Sequence, residues 1–350
     1  DIDFDLPKFS DIGTQEKLFE YLLPQLNSDK MNYIFLDEVQ NVDKFHRAVS
    51  RLFALDHVDI YITGSNAYML SGEFATYFTG RYVELQMLPL SLKEYKNLLE
   101  INDNKLAQQN NEVIFNAYLK SSFPYASRMD DDLSLLEYMR GIYDSIILKD
   151  VVTRLKITDV RVVNLITKFL LDSVGNLISS RKVTNTLTSN GTKVSNNTVD
   201  KYIDALVAAQ IFYESPRYDI QGKEHLKTLQ KYYAVDVGLR NQIAGINNTR
   251  DLGHVLENII FLELKRRGYD VSIGYLKSCE IDFVAVKGSF VEYYQVALSV
   301  LDEDVFHREI APLIKVKDNH PKYLITLDHI GAGNNFDGIR QFNAIDWLLI

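Results

Sequence analysis

One cysteine, Cys279, stands in 350 residues, which excludes an internal disulfide and any zinc site built from clustered cysteines. No apolar run approaches the roughly 20 residues of a membrane-spanning helix, so no membrane partner is expected. No secretory leader pattern opens the chain, and a cytoplasmic setting is expected. Positive charge is not in excess either: 38 Lys and Arg face 47 Asp and Glu, a formal net charge of −9. That balance argues against broad attraction to nucleic acid, and any DNA contact has to come from a local basic face. Also missing is a Gly-rich turn ending in Gly-Lys-Ser/Thr, whose N–H groups and lysine would cradle phosphates; the nearest string, Gly222-Lys223, runs into Glu224. What is present suits folding. Hydrophobic residues make up 46% and charged residues 24%, enough for sizeable cores, and the length predicts two to three domains.

Tyr33-Ile-Phe-Leu-Asp-Glu-Val-Gln40 is an apolar run ending in two adjacent carboxylates, the pattern of a Walker B strand. In such a site Asp37 would serve the Mg²⁺ shell and Glu38, at the strand end, would polarise the water that attacks the γ-phosphate. An ordinary buried strand ending in a solvated acidic turn would give the same string. The following segment, Val58-Asp-Ile-Tyr-Ile-Thr-Gly-Ser-Asn66, reads as a second buried parallel strand. Between the two, Val42, Phe45, Val49, Leu52 and Phe53 recur at helical spacing. A strand, helix, strand unit puts both strand ends on one edge, so Thr63, Ser65 and Asn66 are expected beside Asp37 and Glu38, where they would contact nucleotide or hold water.

Taken together, "YIFLDEVQNV", "IYITGSNAYMLS", "FTGRYVELQMLPLSLKEY", "LKDVVTRLK", "KYYAVDVGLRN", "LENIIFLELKRRGYDV" and "EIDFVAV...YYQVALSV" resemble, in order, a prokaryotic AAA-type ATP-binding family. The resemblance runs through nearly the whole chain. It implies an α/β fold: a partial P-loop/AAA parallel sheet (residues 1–95), a helical lid (96–155), a winged-helix segment (156–240) and a restriction-endonuclease-like domain related to PD-(D/E)XK nucleases (241–350). It also implies ATP and Mg²⁺ as cofactors. The family's phosphate loop lies upstream of the segment matching Asp1 to Phe4, so the expectation is that the first strand, loop and first helix are missing from this chain, which then holds a Walker B without its main phosphate grip.

Residues 82–88 are expected to form a further strand closed by Pro89, with Arg81 at its entry. Arg81 is a candidate for stabilising charge on a transferring phosphoryl group; a surface ion pair with Glu84 or Glu73 is the plainer reading. In the winged-helix segment the third helix carries Asn196, Asn197 and Lys201 against Asp200 and Asp204, a charge count that favours packing over DNA reading. Arg217, Lys223, Lys227 and Lys231 on the wing keep DNA open as a partner.

In the tail, Glu257 resembles the helix acid of a PD-(D/E)XK nuclease and Asp282, with Glu280 beside it, the strand acid, so these three are candidate metal ligands. Where acid-X-lysine should follow, the strand reads Gln295-Val-Ala297, although a lysine displaced from elsewhere, such as Lys265 or Lys277, would be a substitute. The expectation is a nuclease-like scaffold with a weak metal site and no cleavage. Two functions stay open: an ATPase whose hydrolysis drives a conformational switch or remodels a protein or nucleic-acid partner, and a DNA-processing protein whose tail acts on nucleic acid. A homo-oligomer is compatible with either.

Overall fold

The computed structural model describes residues 1–64, 78–129, 131–153, 157, 159–244, 252–277 and 279–350, the side chains of 148–150, 153, 227 and 228 excepted. The chain divides into two compact units, Asp1–Gln86 with Ala208–Gln210, and Met87–Val207 with Ile211–Ile350.

In the first unit, β1 (Ile2–Asp3), α1 (Gln15–Leu22), β2 (Asn32–Asp37), α2 (Phe45–Phe53) and β3 (Val58–Ile62) follow one another. The strands form a parallel sheet in the order β1-β2-β3, with Ile2 opposite Leu36 and Ile34 opposite Ile60. Alternation decides which face is buried. Ile34 and Leu36 point into a core that takes Leu18 and Leu22 from α1 and Ala48, Val49 and Leu52 from α2. The opposite face shows Tyr33, Phe35 and Tyr61 to solvent, with Phe35 and Tyr61 stacked at 4.9 Å between ring centroids. The helix expected between the strands is shorter than its apolar spacing, beginning only after Lys44, whose φ of +53° is left-handed.

The strand expected over residues 82–88 does not form. Val83, Leu85 and Met87 are more than three-quarters exposed. Period-2 patterning expresses a backbone preference, but a strand also needs a ladder, and among the described residues this segment pairs with none.

The second unit begins with helices: α3 (Leu92–Ile101), α4 (Asn111–Tyr118), α5 (Asp132–Ser145), α6 (Val160–Asp172), α7 (Ser180–Ser189) and α8 (Asn196–Ala208). Ser91 and Glu94 close α3 with a reciprocal capping box, and the Ser195 hydroxyl accepts from the Thr198 N–H at the start of α8. There follow β4 (Phe212–Asp219), β5 (Glu224–Ala234), α9 (Val237–Ala244), α10 (Leu252–Arg266), β6 (Asp270–Leu276), β7 (Cys279–Lys287), β8 (Phe290–Val296), α11 (Glu303–Lys315), β9 (Lys322–Thr326), β10 (Asn335–Phe336), β11 (Ile339–Asn343) and α12 (Ala344–Leu349).

All eight strands join one mixed sheet, in the order β10-β11-β9-β8-β7-β6-β4-β5. The hairpin read as a wing is thus continuous with the tail: Arg217–Asp219 of β4 runs parallel to Ile273–Tyr275 of β6. Phe212 and Tyr213 of β4 and Tyr232, Tyr233 and Ala234 of β5 are all buried, so the paired ends of the hairpin are covered on both faces although β5 is the last strand of the sheet. Helix α10 packs on the sheet with ten consecutive buried residues from Val255 to Leu264, which places Glu257 inside.

Candidate functional site

At the carboxyl edge of the first sheet, the β2–β3 ladder continues one step beyond the strands: the Thr63 N–H donates to the Leu36 carbonyl at 2.9 Å. That step brings the Thr63 hydroxyl to Asp37, to whose Oδ1 it donates. Glu38 then leaves the strand with φ +53°, a left-handed conformation that non-glycine residues rarely adopt and that costs on the order of 1–3 kcal/mol. Two longer contacts hold it there, Glu38 N–H to Thr63 Oγ1 and Val39 N–H to the Thr63 carbonyl, each 3.4 Å. The turn re-aims the second carboxylate relative to the first. Gln40 donates its amide to Glu38 Oε2, while its Oε1 is buried without a hydrogen-bond partner. Asp37 and Glu38 are half-buried and Thr63 is exposed, so the group faces solvent.

Asp37, Glu38 and Thr63 are therefore brought together as the sequence suggests. Ser65 and Asn66 lie outside the described residues. Arg81 is exposed, its N–H donating to the Phe78 carbonyl at 2.8 Å, and among the described residues its side chain makes no ion pair with Asp37 or Glu84. The expected partner Glu73 also lies outside the described residues.

In the second unit, Glu257 on α10 and Glu280 and Asp282 on β7 converge, but on a lysine. Lys231 Nζ lies 2.7 Å from Glu280 Oε1, 3.0 Å from Glu257 Oε1 and 3.9 Å from Asp282 Oδ1. Its side chain is 4% exposed, against the sequence expectation of an outward wing cation for DNA. The reason lies in strand parity. Lys231 and Tyr233 share a face of β5, and Tyr233 points inward, stacked on Phe261 at 4.2 Å, with its hydroxyl donating to Glu257 Oε1 at 2.7 Å. Lys231 follows it in. Next to Glu257, Asn258 exchanges two hydrogen bonds with the backbone of Ala234, at 2.8 and 2.9 Å, so that two adjacent residues of α10 fix the end of β5.

Around this core the Val296 N–H donates to Asp282 Oδ2 at 2.8 Å, and Gln295, in the position of the missing acid, donates to Glu309 at 3.0 Å. His254 Nδ1 is 3.5 Å from Glu257 Oε2. Gly175, at φ +78°, closes over them; a Cβ there would stand 2.4 Å from His254 Nδ1. Burial, and then the Glu257 charge, push Asp282 up to about 8. Burial opposes ionisation of Glu257 as well, but the Lys231 ammonium and the His254 and Tyr233 hydrogen bonds outweigh it and hold Glu257 below its ordinary value. Lys231 is pushed above its ordinary value: burial disfavours its charge, and the three carboxylates more than offset that. Among the described residues no His, Cys, Asp or Glu group stands in a metal-binding arrangement. Lys265 and Lys277, the substitutes considered from sequence, make no ion pair with Glu257, Glu280 or Asp282 among the described residues; the cluster's lysine is Lys231.

Residues 1–96 match the family model of an AAA domain, and residues 111–250 match that of a domain of unknown function (DUF8612). A Haemophilus influenzae protein described as "Uncharacterized protein" is 38% identical over 335 residues, covering 95% of this chain and 81% of its own length. This chain belongs to the family of that protein. The Methanocaldococcus jannaschii "Uncharacterized protein MJ1544" is 29% identical over 327 residues, or 91% of this chain and 72% of its own length. Within this family member, residues 1–96 are an AAA-like domain, and Asp37, Glu38 and Thr63 all fall inside it. No helix among the described residues is long and apolar enough to cross a membrane.

Proposed function

We propose that this family member is an AAA-type nucleotide-binding protein in which Asp37, Glu38 and Thr63 form the magnesium and water side of an ATP site. The observation that supports the reading is the Thr63–Asp37 hydrogen bond beside a left-handed Glu38, which turns two adjacent carboxylates apart at the carboxyl edge of a parallel sheet. The donor set fits the ion: a carboxylate and a hydroxyl are the hard oxygen ligands Mg²⁺ prefers, directly or through water. Asp37 and Thr63 would hold it, and when bound it would neutralise charge on phosphate oxygens. Glu38 orients the attacking water and takes up its proton. The phosphate grip is a separate requirement, and no Gly-Lys-Ser/Thr loop occurs in the 350 residues.

Hydrolysis then serves rearrangement of the C-terminal unit or of a partner bound to it. The DNA-processing alternative draws less support, because Lys231 turns inward and an ammonium sits where a nuclease would need a metal. The test is Mg²⁺-dependent ATP turnover of the full-length protein and its Asp37→Asn variant. Loss of turnover in the variant is expected; equal turnover would remove Asp37 from the site.

A further inference from the structure

The carboxylates of Glu257, Glu280 and Asp282 come from two elements, and one side chain occupies the point where they meet. That side chain is a nearly fully buried ammonium, within 3.0 Å of two of them and 3.9 Å of the third. Carboxyl groups gathered in a largely apolar interior demand a cation for whatever charge they carry, since uncompensated buried charge is strongly disfavoured. A divalent ion is the usual answer with oxygen ligands of this kind; here the chain supplies its own.

We infer that Lys231 is the resident cation of this cluster, standing in the place of a divalent ion, and that withdrawing its ammonium converts the cluster into a divalent-metal site. The surroundings support the exchange. Glu280 is one-third exposed and His254 more than one-third, so the cluster is not sealed from solvent on that side. Two of the acids have partners besides the lysine: Asp282 accepts from the Val296 N–H, and Glu257 accepts from the Tyr233 hydroxyl and is fixed by its place on α10. Oxygen ligands with an imidazole nearby suit Mn²⁺. Arginine would keep the charge, whereas methionine keeps the length and removes it.

The experiment is Mn²⁺ binding followed by loss of the free-ion electron paramagnetic resonance signal, in an Asp37→Asn background so that the first unit's carboxylate does not contribute. The parent and Lys231→Arg proteins should bind Mn²⁺ at least about tenfold more weakly than Lys231→Met, a difference of about 1.4 kcal/mol. The site gained in Lys231→Met should vanish in Lys231→Met/Asp282→Asn. If Lys231→Met folds only when Mn²⁺ is present, the metal has replaced the lysine as a folding partner, which also supports the inference. Three results would overturn it: parent binding that Asp282→Asn abolishes, a folded Lys231→Met that gains no site, or failure of both Lys231→Met and Lys231→Gln to fold even with Mn²⁺.

Discussion

Lys231 Nζ sits 3.0 Å from Glu257 Oε1, and both side chains are more than nine-tenths buried, which ties the β4–β5 hairpin to α10 by an ion pair with almost no solvent screening. Breaking such a pair from one side leaves a charge uncompensated in the interior. Lys231→Met should therefore destabilise the second unit by roughly 3–5 kcal/mol in the absence of metal. Adding Glu257→Gln to it should recover part of that loss. Urea denaturation of the two single variants and the double variant forms the cycle, and strict additivity would show that the pair is not coupled.

Gly175 is held at φ +78° against His254 and Glu257. Alanine there meets both a left-handed backbone and an imidazole nitrogen at 2.4 Å. Gly175→Ala should lower stability by more than about 1 kcal/mol, while Gly191→Ala, at φ +84° with open space around it, isolates the backbone cost alone. A smaller effect at 175 than at 191 would contradict the close approach.

Glu94 closes the capping box of α3. Burial raises its carboxyl, but the Ser91 N–H and hydroxyl and the Arg266 charge prevail and hold it below its ordinary value. A depressed folded-state value means a contribution fully present above the unfolded pKa, near 4.5, and lost as pH falls through the folded one. The stability gap between the parent protein and Glu94→Gln should accordingly be open at pH 6 and close on acidification to pH 3. Thermal melts across that range check it, and a gap that widened in acid would reverse the sign assigned to Glu94. Ser91→Ala should cost about 0.5–2 kcal/mol through loss of the cap.

This 350-residue chain should bind ATP weakly, since Asp37 and Thr63 contribute to the ion and not to the phosphate chain, and its sequence holds no Gly-Lys-Ser/Thr loop. Calorimetry giving micromolar affinity for this chain would mean that another element grips the phosphates.

Much of the fold was legible because it rests on local pattern. The apolar runs of β2 and β3 and the spacing of Val49 and Leu52 specify their unit, and the apolar, β-branched stretches of Ile281 to Val286 and Phe290 to Val296 lie within β7 and β8. Residues 82–88 carry an equally good strand pattern and fail, because pairing depends on a neighbour that pattern does not encode. The tail's cluster was half legible. Glu257, Glu280 and Asp282 were picked out by resemblance to the acids of a PD-(D/E)XK nuclease, and they do meet, around Lys231. Lys231 read as a surface cation because lysine usually is one; only its parity with Tyr233, beside the apolar end Tyr232-Tyr233-Ala234 of β5, hinted that it turns inward. Glu38's left-handed backbone left no trace in its residue type.

The most direct measurement is ATP binding and turnover, taken together, for full-length protein and its Glu38→Gln variant, which keeps the local shape and removes the carboxylate. ATP affinity should be unchanged while turnover falls by about 10²–10⁴-fold, the signature of a group that acts on the attacking water. Unchanged turnover would make Glu38 a structural acid and withdraw the assignment of this sheet edge as a site of hydrolysis.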